Sequence, residues 1–162
     1  MWYYKDNVAR SICRYKFYGR RSYALVFGRI LAMKLEKKVC TDFDVLTFVP
    51  IAPLRRLKRG YDQVELLARA IGNEIGVKPI RTLRKIRNTP PQSGISDASR
   101  RRANVLGAYK PVNPEQFRGK RVLLLDDVIT TGSTVSECAR VLLTAGAKEV
   151  FCAAVAATNH NQ

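Results

Sequence analysis

The chain is poor in the residues that hold metals and disulfides. It has one histidine and four cysteines among 162 residues. His160 sits in a polar tail, and Cys13, Cys40, Cys138 and Cys152 lie 27, 98 and 14 positions apart without a CxxC pair. A zinc site needs a tetrahedral ligand cluster, usually with short pairwise spacing, so none is expected from Cys or His. All four cysteines read as reduced thiols, with Cys138 and Cys152 as half-buried packing residues. No apolar run approaches the roughly 18 residues of a spanning helix, and residues 1–6 lack the basic and apolar stretches of a leader. The expectation is a soluble, cytoplasmic protein with no transmembrane segment. A composition of 46% hydrophobic and 26% charged residues excludes collagen-like, low-complexity and disulfide-scaffold chains. A chain of about 150 residues can bury a core without staples, so residues 1–162 are expected to form a single domain.

Acidic side chains are also scarce. There are 13 against 29 basic ones, a net charge of +16. Residues 1–60 hold 14 basic and 4 acidic side chains, residues 61–120 hold 12 and 5, and residues 121–162 hold 3 and 4. A basic first three-quarters joined to a near-neutral end points to an anionic partner that meets particular segments. The clusters are Arg20-Arg21, Arg55-Arg56-Leu57-Lys58-Arg59, Arg84-Lys85 with Arg87, and Arg100-Arg101-Arg102. Phosphate-rich small molecules and nucleic acid both suit such a surface.

The hydrophobic pattern alternates between helical and strand periods. Ile12, Tyr15 and Tyr18 fall on one helical face before Gly19, and Tyr23, Phe27, Ile30, Leu31 and Leu35 form an apolar stripe from Arg21 to about Lys38. Residues 43–50 read as a buried strand. Pro50 and Pro53 predict a non-helical passage after it. A helix with inner face Val64, Leu67, Ala68 and Ile71 stops at Gly76. Short strands are expected at 80–83 and 108–110, separated by an unpatterned stretch over 87–104 of the kind that serves as a lid. Residues 121–125 are the strongest strand, residues 128–133 a loop, and a helix to Ala145 precedes a last strand at 149–156. Continuous apolar strands alternating with helices predict an α/β fold, a mostly parallel twisted sheet with helices on both faces. Ligands of such folds sit off the carboxyl ends of the strands, here Pro50–Gly60 and Asp126–Thr134.

The second of these ends carries distinctive chemistry. Strand 122–125 runs into Asp126 and Asp127, then Thr130, Thr131, Gly132, Ser133 and Thr134, then a helix. Glycine allows close backbone approach, and successive N–H groups at a helix start cradle an anion, with hydroxyls as further donors. Thr134-Val135-Ser136-Glu137 fits a capping box. Two carboxylates beside a phosphate cradle suit vicinal sugar hydroxyls, so the ligand chemistry is that of a ribose 5-phosphate.

Residues 123–134 resemble the phosphoribosyl pyrophosphate (PRPP) motif of type I phosphoribosyltransferases. Val49-Pro50, Pro53-Leu54, the run to Arg59-Gly60-Tyr61-Asp62-Gln63, Leu66-Leu67-Ala68, Thr89-Pro90-Pro91-Gln92, residues 100–105 and residues 16–21 are similar to the ComF family of competence-associated members. That family's cysteine-rich zinc segment has no counterpart here. The resemblance implies a type I phosphoribosyltransferase fold and a magnesium-dependent transfer of ribose 5-phosphate to a nitrogen acceptor with release of pyrophosphate. It implies Asp126 and Asp127 at the ribose and residues 130–134 at the 5′-phosphate. Arg55, Arg56, Lys58 and Arg59 would serve the pyrophosphate, and Arg100, Arg101 and Arg102 on a mobile catalytic loop would contact the leaving group. Residues 1–40 would be a basic aromatic hood over a PRPP-binding core at 41–162, and a homodimer is compatible. Two further readings stand beside this one. The fold could serve as a non-catalytic single-stranded DNA-binding adaptor of transformation, working with competence proteins through the aromatic and basic residues of its first segments. It could also serve as a sugar-phosphate sensor.

Overall fold

The computed structural model describes residues 2–3, 5–37, 42–89 and 103–158. The elements are β1 (Trp2–Tyr3), α1 (Asp6–Phe17), α2 (Tyr23–Lys37), β2 (Val45–Phe48), α3 (Pro53–Arg59), α4 (Gln63–Ile75), β3 (Leu83–Lys85), β4 (Tyr109–Pro111), β5 (Arg121–Ile129), α5 (Ser133–Thr144) and β6 (Glu149–Ala157). A four-stranded sheet runs in the order β1-β6-β5-β2, and every neighbouring pair is parallel. This is the α/β fold of the sequence reading. Strand β5 lies between β2 and β6, so its backbone is bonded on both sides and rigid.

The alternation of β5 divides the core. Leu123 and Leu125 pack with Ile12, Tyr15, Phe27, Leu31, Leu67 and Ile71 from α1, α2 and α4. Val122 and Leu124 pack with Val135, Cys138, Val141 and Leu142 of α5 and with Phe117. Helices therefore cover both faces, and the two-residue period of the strand decides which helix each residue meets. Helices α2 and α4 approach closely at Gly28, where a Cβ would lie 2.6 Å from the Ala70 Cβ.

Several elements differ from the sequence reading. Residues 53–59 form a helix despite Pro53, because Pro53 occupies its first turn, where no amide needs a partner, and Gly60 closes it at φ 74°. Strand 80–83 is displaced to 83–85 and pairs antiparallel with β4 in a separate two-stranded sheet. Strand β5 continues through Asp126 and Asp127 to Ile129. Helix α5 begins at Ser133 behind Gly132, which has φ 76° and no side-chain cap, so the capping box does not form. Glu137 instead accepts from the Gly107 amide (2.8 Å) and pairs with Arg140 (2.8 Å). Tyr18 lies beyond the end of α1 and is exposed, whereas Ile12 and Tyr15 are buried. Cys138 is buried, but Cys152 is exposed. Residues 2–3 add a strand at the edge of the sheet beside β6, which apolar periodicity over two residues cannot reveal.

Candidate active site

Strand β2 ends its pairing with β5 at Phe48, opposite Leu125, and β5 continues to Ile129 bonded to β6 alone. The cleft opens past the end of β2. Its volume is about 280 Å³, and its walls come from α1, α3, the start of α4, β3, β4, β5 and the start of α5.

Asp126 and Asp127 both line this cleft, and both are buried. Being consecutive on a strand, they face opposite sides of the sheet. Asp127 faces α1 and α4: its Oδ1 pairs with the Lys16 ammonium at 2.8 Å, and its Oδ2 accepts from Gln63 Nε2 at 3.0 Å. Asp126 accepts from the Asp127 amide at 2.8 Å. Burial, and after it the charge of Asp127, push the Asp126 carboxyl well above the usual carboxylate range. The expectation of a strand that ends at residue 125, just before the two carboxylates, is therefore corrected. They sit within the strand, and one of them already has a cationic partner.

Beyond β5 the chain turns through Thr130–Gly132 into α5. The Thr158 amide donates to the Ile129 carbonyl (3.0 Å) and the Thr158 hydroxyl to the Thr130 carbonyl (3.2 Å), which fixes the start of the turn. The Thr131 and Ser133 hydroxyls lie 2.8 Å apart, and the Ser133 amide donates to Thr131 Oγ1 at 3.4 Å. Gly132 caps the helix in the left-handed region, which a side chain enters only at a cost. Thr130, Gly132, Ser133 and Thr134 line the cleft. The first amides of α5 are thus presented at its edge, where an anion is favoured.

Basic side chains enter from three other elements. On α3, Arg55 and Arg59 are one helical turn apart and both line the cleft. Arg55 donates to the Thr89 carbonyl (2.6 Å), and Arg59 donates to Gln63 Oε1 (2.8 Å) while its guanidinium lies 4.8 Å from the centre of the Phe17 ring. Arg56 is turned away and lies 3.8 Å from Glu65, and Lys58 is exposed outside the cleft. Arg100, Arg101 and Arg102 lie outside the described residues.

The sequence reading gives no site role to Lys16, Phe17, Gln63, Lys85 or Tyr109, although Lys85 stands in one of its basic clusters, and all five line the cleft. Burial, helped by the charge of Arg55, lowers Lys85 to about 8, and its ammonium lies 5.1 Å from the centre of the Tyr109 ring. The position of Lys16 follows from Tyr15. That ring is buried against Phe27 and Tyr61, its hydroxyl donates to the Gln63 carbonyl, and the Tyr61 hydroxyl donates to the Tyr15 carbonyl. Asp62 completes the mount. It caps α4 through the Val64 and Glu65 amides and accepts from the Ile51 amide (3.1 Å), which fixes the loop ahead of α3. The lysine in residues 16–21 was a signal in plain view, but no spacing rule connects it to Asp127 across 111 positions.

A second groove is lined by Arg10, Cys13, Arg14, Tyr18, Arg20, Ser22 and Tyr23. Three arginines and two tyrosines face it, and no carboxylate is among the described residues that line it. Among the described residues, no helix is long and apolar enough to cross a membrane.

A family model described as "Phosphoribosyl transferase domain" matches residues 22–162. The chain is 29% identical over 154 residues to Competence protein F of Haemophilus influenzae, covering 91% of this chain and 67% of that protein. It is 31% identical over 156 residues to DNA utilization protein YhgH of Salmonella typhi, covering 92% and 67%. It is 33% identical over 149 residues to Competence protein ComFC of Streptococcus pneumoniae, covering 91% and 62%. Among solved structures, glutamine PRPP amidotransferase from B. subtilis aligns with a TM-score of 0.60 at 23% identity, over 88% of this chain and 30% of that one. The chain therefore spans about two thirds of the first two relatives, somewhat less of the third and under a third of the amidotransferase, whose likeness is one of fold.

Proposed function

This chain belongs to the phosphoribosyl transferase domain family, in its competence-associated ComF branch, and from that premise we propose that it binds PRPP and transfers ribose 5-phosphate to a nitrogen acceptor with release of pyrophosphate. The observation that carries the reading is the cleft, where buried carboxylates, a glycine-capped helix start and several cations meet within about 280 Å³. Residues 130–134 and the first turn of α5 receive the 5′-phosphate. Asp127, and Asp126 beside it, accept from the ribose hydroxyls. Arg55, Arg59 and Lys85 face the diphosphate, and their charge grows in value as negative charge develops on the leaving group.

The donors at the carboxylate end of the cleft are oxygens, which suits Mg²⁺, a hard cation that keeps several waters. Among the described residues no three His, Cys, Asp or Glu side chains form a cluster that would hold it by themselves. The ribose hydroxyls and diphosphate would therefore hold the ion, with Asp126 and Asp127 behind them. Bound there, Mg²⁺ would neutralise charge on the departing pyrophosphate. Calorimetric titration with PRPP and Mg²⁺, followed by a screen of acceptor bases for pyrophosphate release, tests the reading. A protein that does not bind PRPP at millimolar concentration is not a phosphoribosyltransferase.

A second reading is favoured by the groove of Arg10, Arg14 and Arg20 with Tyr18 and Tyr23. Guanidinium groups beside aromatic rings suit a single-stranded nucleic acid, whose phosphates they neutralise and whose bases stack. The names of the relatives, which refer to competence and DNA utilization, agree with it. The two sites share no described lining residue, so one chain can carry both.

A further inference from the structure

The cations of the cleft are tethered in two different ways. Arg55 is held by the Thr89 carbonyl, Arg59 by the Gln63 side-chain oxygen and the Phe17 ring, and Lys85 lies over the Tyr109 ring. These partners are neutral. Lys16 is held by a carboxylate, Asp127, at 2.8 Å, with the two side chains 22% and 8% exposed. It also arrives from outside the recognised domain, since α1 ends at Phe17 and the family model begins at residue 22.

We propose that Lys16 is a transferable cation of the site, paired with Asp127 until a ligand binds and passed to the diphosphate when the ligand's sugar hydroxyls take Asp127. The inference rests on the phosphoribosyl reading of the cleft. Both oxygens of Asp127 are engaged, Oδ1 by Lys16 and Oδ2 by Gln63. With Asp127 only 8% exposed and a partner on each oxygen, a sugar hydroxyl that reaches Oδ1 competes with the ammonium for it. An ammonium displaced from its carboxylate in a partly closed cleft needs another anion or water. The diphosphate end of the same ligand supplies the anion. Helix α1 need not move for this, because the buried Tyr15 fixes its last turn while the four-carbon stem of Lys16 turns. A ligand with the sugar and no diphosphate competes for the same carboxylate and offers the ammonium no diphosphate in exchange, so Lys16 favours the diphosphate ester over its hydrolysed form.

The test compares PRPP with ribose 5-phosphate, each titrated into the full chain with Mg²⁺ present. Lys16→Met is expected to weaken PRPP binding by about tenfold or more, the loss of one charge-assisted contact. Ribose 5-phosphate binding should stay unchanged or tighten, because a competitor for Asp127 has gone. Lys16→Arg should restore the preference for PRPP. A second measurement needs no variant: acylation of Lys16 in the parent chain, followed by peptide mass spectrometry, should speed up with ribose 5-phosphate and slow with PRPP. Equal weakening of both ligands by Lys16→Met, or unchanged binding of both, overturns the inference, as does acylation that responds identically to the two. If the parent chain binds neither ligand, the phosphoribosyl reading itself fails. If it binds both and Lys16→Met leaves their ratio unaltered, only the transferable cation is lost.

Discussion

Replacing Asp127 with asparagine separates what the carboxylate does for a ligand from what it does for the fold. Asparagine keeps the volume and one carbonyl oxygen, so Gln63 retains an acceptor, but the amide cannot hold the Lys16 ammonium. Breaking a fully buried pair costs about 3–5 kcal/mol. Lys16 is 22% exposed and can turn toward water, so the cost here is about 1–2 kcal/mol, or roughly 3–6 °C in melting temperature for a chain of this size. Loss of a hydrogen bond to a charged group takes about 1.5–3 kcal/mol from PRPP binding, a factor of roughly 10–150. A pH dependence accompanies both effects. The folded-state pKa of Asp126 is raised by burial and then by the charge of Asp127. A raised carboxyl contributes its stability while protonated and loses it as pH rises through the folded value. Without the Asp127 charge, Asp126 ionises at less cost, so the variant loses less stability than the parent as pH rises. The gap between their melting temperatures should be widest in mild acid and should narrow toward alkaline pH. Calorimetry with PRPP and Mg²⁺, together with melts at about pH 6, 7 and 8, would measure both. Undiminished PRPP affinity would refute the assignment of the ribose to Asp127. A gap that widened with pH would refute the coupling of the two carboxylates.

Gly132→Ala should cost about 1–2 kcal/mol through its φ of 76° alone, since the new Cβ meets nothing nearer than Ser136 Oγ at 3.9 Å. Ribose 5-phosphate titration and thermal melting should show binding falling with stability. Gly28→Ala should destabilise the fold by about 1–3 kcal/mol, because the backbone of Ala70 at 3.1 Å cannot yield easily; an unchanged melt would contradict the close packing of α2 on α4. Lys85 carries its charge below about 8, so inorganic pyrophosphate binding should weaken as pH rises through that value. Lys85→Met should flatten that part of the profile, and an identical profile in the variant would assign the dependence elsewhere. If the α1–α2 groove binds single-stranded DNA, replacing Arg10, Arg14 and Arg20 together with glutamine should reduce the salt slope of binding by about 2, at roughly 0.7 per lost phosphate contact. PRPP titration should be unaffected, and a full salt slope in the variant would move DNA binding to another face.

The parallel sheet was legible because β5 and β2 are buried on both faces and read as apolar runs, and the turn after Asp127 because glycine and hydroxyl residues mark an anion cradle. Arg55 and Arg59 were visible as charge, but which of the four basic residues turn inward depended on a helix at 53–59 that the two prolines concealed. Lys16 and Lys85 reach the cleft from elements far away in sequence, and a solvated lysine has the same local pattern as a functional one. The capping box at 134–137 shows the opposite error. Its residue types fitted, but Gly132 caps the helix two residues earlier and Glu137 is claimed by Gly107. The depth of Asp126 and Asp127 was hidden for a related reason: charged residues at the end of an apolar run read as its exposed end, while here β5 carries on past them beside β6.

The pairing of β1 with β6 also orders the assembly of the molecule in time. Trp2 lies beside Ala156 and Tyr3 beside Ala157, a contact across nearly the entire length of the sequence. During synthesis, β2, α4 and β5 can form and pack while β1 still has no neighbour, and it gains one only when β6 has emerged and docked. Helix α1 follows β1 directly, and with it Lys16. The side chains of Tyr15 and Tyr61 dock α1 on α4 without β6, so the counter-charge of Asp127 can be in place once β5 has emerged, and β6 then ties down only the strand that leads into α1.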